Sequence, residues 1–448
     1  MIFTPYDYPE SPENFDLNTF YKMYDKVKKA HANGDSQLIF AKAPVISDFP
    51  KDEGISFIIE EIIALKNFTT QEVSNVLSKY ISFIEKYKIE LIKEFDNKCS
   101  SAYDGKLPNP KIDKLKVQLY FGYDRFHIIN SDTLSRNKNG FYIEPIDYSF
   151  ALDSNVASNF KKYDEVQDEQ YKALYELLCS DKYNIDLLPY IIEIIMNGVK
   201  KYGINYKLNK NNKNEDQQKF FDNIKVFHKH NFFKEKSEKK FINSLIKAHN
   251  PLVKHIAFMY YSAYILVIIM MEAKFKFKDS QKKIKYYVFT ELRKLGIPIE
   301  NRYKAILYLF VKNPGHLFFK KIINIANTQK YFGNLDNTAR DIALSNLDKY
   351  IYLNQQNEVK GIFPLLASDD EDFIQMLKDT KPDFILKNNG LVMYIYKSIS
   401  KDIEKNYSNL FISKNSKVYH FEEQDLQELI QISKDKEQFF KNLIVNNN

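Results

Sequence analysis

Asp147-Tyr148-Ser149-Phe150-Ala151-Leu152-Asp153-Ser154-Asn155-Val156 reads as an apolar strand that ends in a carboxylate and passes at once into polar turn residues and a helix. Parallel α/β sheets carry their chemistry at that edge, where the carboxyl end of a strand meets the next helix. An Asp at a strand end also makes turns and caps helices, so Asp153 gains meaning only from what the rest of the chain brings to it. From about Asp147 to Ile195 the pattern runs strand, turn, helix, polar break, helix, which is how an α/β unit opens.

Three further segments carry acids in suggestive places. Asp186 to Gly198 is predicted as a helix, with Pro189 in its first turn and Gly198 where a C-cap belongs. Glu193 is its anomaly: two isoleucines flank it on each side, so its carboxylate is expected to be at least partly buried, where an unpaired charge is costly. Asp341 follows Thr338 at the spacing of an N-terminal capping pattern, which predicts a helix over Thr338–Leu353 with Asp341 in its first turn. Ile362–Ala367 reads as a short buried strand leading into Ser368-Asp369-Asp370-Glu371-Asp372-Phe373, four consecutive acids whose mutual repulsion a divalent cation would relieve. An exposed acidic turn in water needs no such ion.

In order and element type, these four segments resemble the PIN-like nucleases. Asp153-Ser154-Asn155 stands where that family has a strand ending Asp-Thr-Asn, Glu193 matches its helical Glu, and Asp341 matches an Asp at the start of a late helix. Ser368-Asp369-Asp370 followed by Phe373 matches the closing Thr-x-Asp and aromatic. Ser replaces Thr twice, which keeps the hydroxyl, and 147 residues separate Glu193 from Asp341, which requires an inserted helical domain. The resemblance implies an α/β fold: a PIN-like core with a parallel central sheet flanked by helices, plus a helical insertion and a mostly helical α+β N-terminal region. It implies a metal-dependent endonuclease, an endoribonuclease rather than a DNA-cutting enzyme, with catalytic and metal-binding Asp153, Glu193, Asp341 and Asp370. In that scheme Asp153 and Asp370 are the central ligands of Mg2+ or Mn2+, while Glu193 and Asp341 complete the cluster directly or through waters. Asn155 and Ser368 orient them, and Asp369 or Asp372 is an alternative to Asp370. It further implies a toxin or phage-defence effector, with an antitoxin or regulatory protein as partner. The competing expectation is a catalytically silent nucleic-acid-binding or scaffold protein that retains the fold.

Outward from this core, residues 1–140 read as helices near Asn18–Ala32, Ile55–Leu65 and Glu72–Phe95, the last entered through a capping box at Thr69 to Glu72. A strand over Lys116–Phe121 follows, with Phe126–Ile129 as a candidate partner. The core is expected at 141–200 and 330–390, a basic helical insertion at 200–330, and a C-terminal α/β or helical tail at 391–448. The Asn/Lys-rich stretch Leu208–Asp216 reads as a loop at the start of the insertion. Within the insertion, Ile256–Met271 carries no charge, but it contains Tyr260, Tyr261, Ser262 and Tyr264 and stops at Glu272, so a buried helix is expected in place of a membrane span. Glu272 is a candidate further acid.

Between Lys274 and Lys294 stand eight basic residues against two acids, interleaved with Phe275, Phe277, Tyr286 and Tyr287. Lys274, Lys276, Lys278, Lys282, Lys283 and Lys285 are the candidate nucleic-acid-binding residues, since such a band can track a phosphate backbone while rings stack on bases. A solvated helix face has the same composition. The net charge of +7 on 448 residues is mild, and the 14 Pro and 12 Gly are few, as in mainly helical proteins. Cys99 and Cys179 are too few and too far apart for a disulfide framework or a thiolate metal site. Met1–Asp16 carries four acids and no Lys or Arg, unlike a secretory signal, so a cytoplasmic protein is expected.

Overall fold

The computed structural model describes residues 51–94, 118–120, 126–136, 147–159, 172, 176, 184–210, 215–230, 237–297, 300–323, 328–346, 362–388, 391–411 and 423–445. The helix expected over Asn18–Ala32, the first sixteen residues and both cysteines lie outside them. The chain divides into two units, residues 1–104 with 127–143 and residues 105–126 with 144–448.

In the first unit, α1 (Lys51–Ala64), α2 (Thr70–Ser78) and α3 (Ile81–Tyr87) precede β1 (Glu90–Glu94). The capping box forms as the sequence predicts: Thr69 Oγ1 accepts from the Glu72 N–H, and the Glu72 carboxylate accepts from the Thr69 N–H. The single helix expected over Glu72–Phe95 does not form. Lys88 turns into the left-handed region at φ 48° and closes α3, and the buried Ile89, Leu91 and Ile92 continue as extended chain. Further along come β2 (Gln118–Tyr120), β3 (Phe126–Ile129) and α4 (Ser131–Arg136), with β3 beside β1. The pairing expected between the β2 and β3 segments is therefore absent, because β2 joins the sheet of the second unit.

That sheet runs β2-β6-β4-β5, where β4 is Asp147–Leu152, β5 is Asn184–Asp186 and β6 is Ile362–Ser368. β5 and β6 flank β4 in parallel, with Ala151 opposite Asp186 and Leu152 opposite Ala367, and β2 closes the edge antiparallel to β6. The chain steps from β4 to β5 on one side and then passes back across β4 to reach β6. The carboxyl ends of β4 and β6 thus leave the sheet side by side, the edge where open α/β sheets bind ligands.

Asp186 turns β5 into α5 (Leu188–Tyr202), its Oδ1 accepting the Leu188 N–H at 2.8 Å, and Pro189 sits in the first turn as expected. Gly198 is not the cap. The helix runs on to Tyr202 and ends at Gly203, φ 84°. Gly198 is required for another reason: a Cβ there would stand 2.1 Å from the Tyr206 ring, which folds back against the helix.

Among the described residues there follow α6 (Glu215–Lys229), α7 (Glu238–His249), α8 (Val253–Phe277), α9 (Gln281–Lys294), α10 (Asn301–Lys312), α11 (Leu317–Ile323) and α12 (Thr328–Leu344). After β6 come α13 (Glu371–Asp379), the antiparallel hairpin of β7 (Phe384–Asn388) and β8 (Leu391–Ile395), α14 (Lys397–Phe411) and α15 (Glu423–Val445). The Glu238–Phe277 stretch is long and apolar enough to cross a membrane, yet 94% of its most apolar window is buried within the protein. α8 is the central helix, sheathed by α5, α9, α12 and α15.

Residues 200–330 and 391–448 belong to the same compact unit as the sheet, with α8 and α15 packed along each other and α5 and α12 closing on α8. The helix expected from Thr338 begins ten residues earlier, since Tyr331, Leu335, Ala339 and Ile342 already supply a buried face at helical spacing. Thr338 is a fully buried mid-helix residue and caps nothing.

Candidate acidic site at the sheet edge

Asp153 extends the β4–β6 ladder by one residue, its N–H donating to the Ala367 carbonyl at 3.0 Å, and its own carbonyl accepts the Ala157 N–H to begin the helical turn over 154–159. The side chain is 6% exposed. Its Oδ2 accepts from Ser368 Oγ at 2.6 Å and its Oδ1 from the Ser154 N–H at 2.7 Å. Ser368, the last residue of β6, also accepts the Asp370 N–H at 3.2 Å, so one buried hydroxyl clamps the ends of the two parallel strands together. Asp370 itself caps α13, accepting the Phe373 N–H at 2.9 Å.

Three more acids bear on this pair. Glu193, half-buried on α5, and Asp369 both act electrostatically on Asp153, and Asp370 and Asp153 act on Asp341. Burial, reinforced by Glu193 and Asp369 against the hydrogen bonds from Ser368 and Ser154, raises the Asp153 carboxyl to about 7. Burial and the neighbouring carboxylates also raise Asp341 to about 7, against the Lys321 ammonium 3.2 Å from its Oδ2.

The four acids singled out in the sequence are therefore linked in a chain of electrostatic couplings beside the carboxyl ends of β4 and β6: Glu193 to Asp153, Asp153 to Asp341, and Asp341 to Asp370. Asp341 arrives by a different route than expected, from the last turn of α12 and not from a helix start. Asp369 joins the cluster, whereas Asp372 sits in the first turn of α13. Asn155 is exposed. Lys321 carries no motif and was not foreseen; its partner lies 20 residues away, and only the packing of α11 on α12 brings the two together.

Among the described residues no three carboxylate, imidazole or thiolate groups stand close enough to grip one ion together. The donor set nevertheless fits Mg2+, which keeps several waters and commonly takes only one or two carboxylates together with substrate phosphates. Hard oxygen donors, like charges held close and two carboxyls that resist ionisation without a cation are the matching chemistry. Asp153, Glu193, Asp341, Asp369 and Asp370 are the residues that would hold such an ion, directly or through its waters.

The basic band is divided. Lys274 pairs with Asp279 at 2.5 Å, Lys276 with Glu272 at 2.6 Å, and Lys285 with Asp402 at 2.6 Å, so these three ammoniums are committed within the protein. Lys278, Lys282 and Lys283 are exposed, as is Tyr286 at 50%. Glu272 belongs to a separate pocket between α8, α9 and α15.

The strand-end carboxylates, the helical acid and the serine clamp define an acidic site on an α/β sheet within a mainly helical protein. No protein-family model, curated protein or solved structure matches the chain.

Removing the clamp has a defined consequence. The Ser368 hydroxyl holds the Asp153 carboxyl down, so Ser368→Ala is expected to move Asp153 above its present value of about 7. A carboxyl-carbon NMR titration of the two proteins reads this, and an unchanged or lower midpoint would refute the clamp.

Proposed function

We propose that the chain is a metal-dependent endonuclease of PIN-like type, cutting RNA in preference to DNA. The observation that carries the reading is Asp153, held by Ser368 at the carboxyl ends of two adjacent parallel strands, with Glu193, Asp369 and Asp341 coupled to it electrostatically and with Asp153 and Asp341 both raised to about 7. Carboxyls raised by burial and by like-charged neighbours in one cluster are candidates for a functional site. A bound divalent ion would supply Lewis-acid polarisation of the scissile phosphate and a more acidic water.

The chain's own residues do the rest. Ser368 and the Ser154 N–H hold the Asp153 carboxylate in one orientation from two sides. Lys321 keeps part of the negative charge of Asp341 neutralised and offers an ammonium to a phosphate oxygen. Lys278, Lys282 and Lys283, with the exposed Tyr286 ring, form a face able to follow a single strand. A toxin or phage-defence setting, with an antitoxin or regulatory partner, follows from the resemblance to that family.

A second reading, a silent scaffold that binds nucleic acid without cutting it, is favoured by the lack of a three-ligand group among the described residues. Labelled single-stranded RNA and DNA incubated with Mn2+, with Mg2+ or with chelator separate the two. RNA cleavage with metal and none with chelator is expected; intact strands under every condition, with RNA still bound, would establish the scaffold.

A further inference from the structure

Lys278, which closes α8, has φ 52° and ψ −105°. A positive φ is mild at Lys88, whose ψ of 51° places it in the left-handed helical region that a side chain tolerates. Lys278 lies outside that region. The Phe277 carbonyl accepts the Ser280 N–H at 3.1 Å, so Phe277-Lys278-Asp279-Ser280 is a hydrogen-bonded turn with Lys278 at its first central position. Those angles are close to a type II′ turn, which ordinarily has glycine there because a Cβ crowds the backbone. Any other residue in that place is strained, and such strain gathers where a side chain has a task.

The fold makes little use of this side chain. Lys278 is exposed, and among the described residues its ammonium enters no hydrogen bond or ion pair. Asp279 beside it is taken by Lys274 at 2.5 Å, which holds the Asp279 carboxyl below its usual range, with Lys278 adding only its charge nearby. Glycine would relax the turn and forfeit no internal contact, so what the lysine contributes lies outside the molecule.

Its surroundings indicate the partner. α9 starts at once, the Ser280 carbonyl accepting the Ile284 N–H at 3.0 Å, and brings the exposed Lys282 and Lys283 one helical turn ahead of the Tyr286 ring. Three ammoniums beside an open aromatic face match phosphates and a stacked base.

We propose that the α8–α9 turn is a phosphate-contact point for single-stranded nucleic acid, with Lys278 held in a glycine-like backbone conformation so that its ammonium meets the strand beside the Lys282, Lys283 and Tyr286 face. The inference rests on the nucleic-acid side of the proposed function and not on cleavage.

Fluorescence anisotropy of the full chain with a labelled oligouridylate, in chelator so that nothing is cut, reads the contact, and thermal melts read the strain. Each phosphate contact on a single strand steepens the dependence of log affinity on log salt by about 0.7. Lys278→Ala and Lys278→Gly should each reduce the slope by that amount, which makes binding roughly eightfold weaker at about 50 mM salt and roughly threefold weaker at about 200 mM. A merely structural role would leave the slope alone. Lys254→Ala, at the opposite exposed end of α8 and about 36 Å away at the rise of a helix, should keep the wild-type slope. Lys278→Gly should melt above both wild type and Lys278→Ala by on the order of 1–3 °C, since only glycine relaxes the turn. Wild type without affinity for the oligouridylate, an unchanged slope in both Lys278 variants, or a Lys254→Ala slope reduced as far as theirs would overturn the contact. A Lys278→Gly protein that melts no higher than Lys278→Ala would overturn the strained positioning. Oligouridylate bound through Lys278 yet never cut when Mn2+ replaces chelator would remove the nuclease reading and leave this contact standing.

Discussion

Under the proposed nuclease reading, Asp153→Asn is expected to abolish metal-dependent cleavage and, in the same protein, to raise the melting temperature in metal-free buffer at pH 8. Losing the carboxylate removes several kcal/mol of transition-state stabilisation, so residual activity should fall below about a thousandth of wild type. The stability effect has the opposite direction because the native state raises this group to about 7 from 3.8. Between those values the folded protein holds a proton that the unfolded chain has released, so stability declines as pH climbs from about 4 to about 7. Above pH 7 the native state carries the buried charge, a burden of at most about 4 kcal/mol for roughly three pK units. Asn has no such charge, and its Oδ1 can keep the Ser154 N–H while its Nδ2 donates to Ser368 Oγ. The variant should therefore melt higher than wild type at pH 8, by an amount equivalent to on the order of 2 kcal/mol, and close to wild type at pH 4. Mn2+ should raise the wild-type melting temperature at pH 8 and leave the variant where it was. Scanning calorimetry at both pH values with Mn2+ or chelator decides the matter. A wild type indifferent to metal at pH 8 would remove the cation from the site.

The same cluster marks how far local sequence reaches. Asp153 was legible because an apolar run closing on Asp-Ser-Asn has few ways to be anything but a strand end. Glu193 was legible because four flanking isoleucines leave a helical carboxylate little open water. Asp341 was named from a Thr-x-x-Asp spacing that mimics a cap; the helix actually begins ten residues upstream, and Thr338 is buried in its interior. A short polar pattern carries less information than the apolar periodicity of Tyr331, Leu335, Ala339 and Ile342 that overrode it.

Other features depend on contacts that no window of sequence contains. β2 reaches β6 across more than two hundred residues, so its assignment to the sheet of the second unit was invisible from its own composition. The lysines of the basic band look alike in sequence, yet Lys285 finds Asp402 on α14, 117 residues away. Strand composition reports the existence of an edge, and only tertiary packing assigns its neighbour.

Asp336→Ala is expected to destabilise the sheet unit by about 2–4 kcal/mol, because it leaves the buried Tyr260 hydroxyl and the partly buried Arg340 guanidinium without their acceptor. Asp336 is 2% exposed and accepts from the Tyr260 hydroxyl of α8 and from Arg340 one turn along α12, while Lys200 of α5 reaches it at 2.7 Å. One carboxylate therefore fastens three helices. Burial and the adjacent Asp336 carboxylate raise the Tyr260 phenol and keep it a donor. Two of those helices carry the acidic site: Glu193 lies two turns before Lys200 on α5, and Asp341 follows Arg340 directly on α12. Loss of the fastening should thus reach the site as well as the fold. A double substitution, Asp336→Leu with Arg340→Met, removes both charges of the buried pair and should recover much of the stability lost in Asp336→Ala. Urea unfolding of the wild type, single and double variants measures this. A single variant within about 1 kcal/mol of wild type would show that the three helices are held by their apolar packing alone.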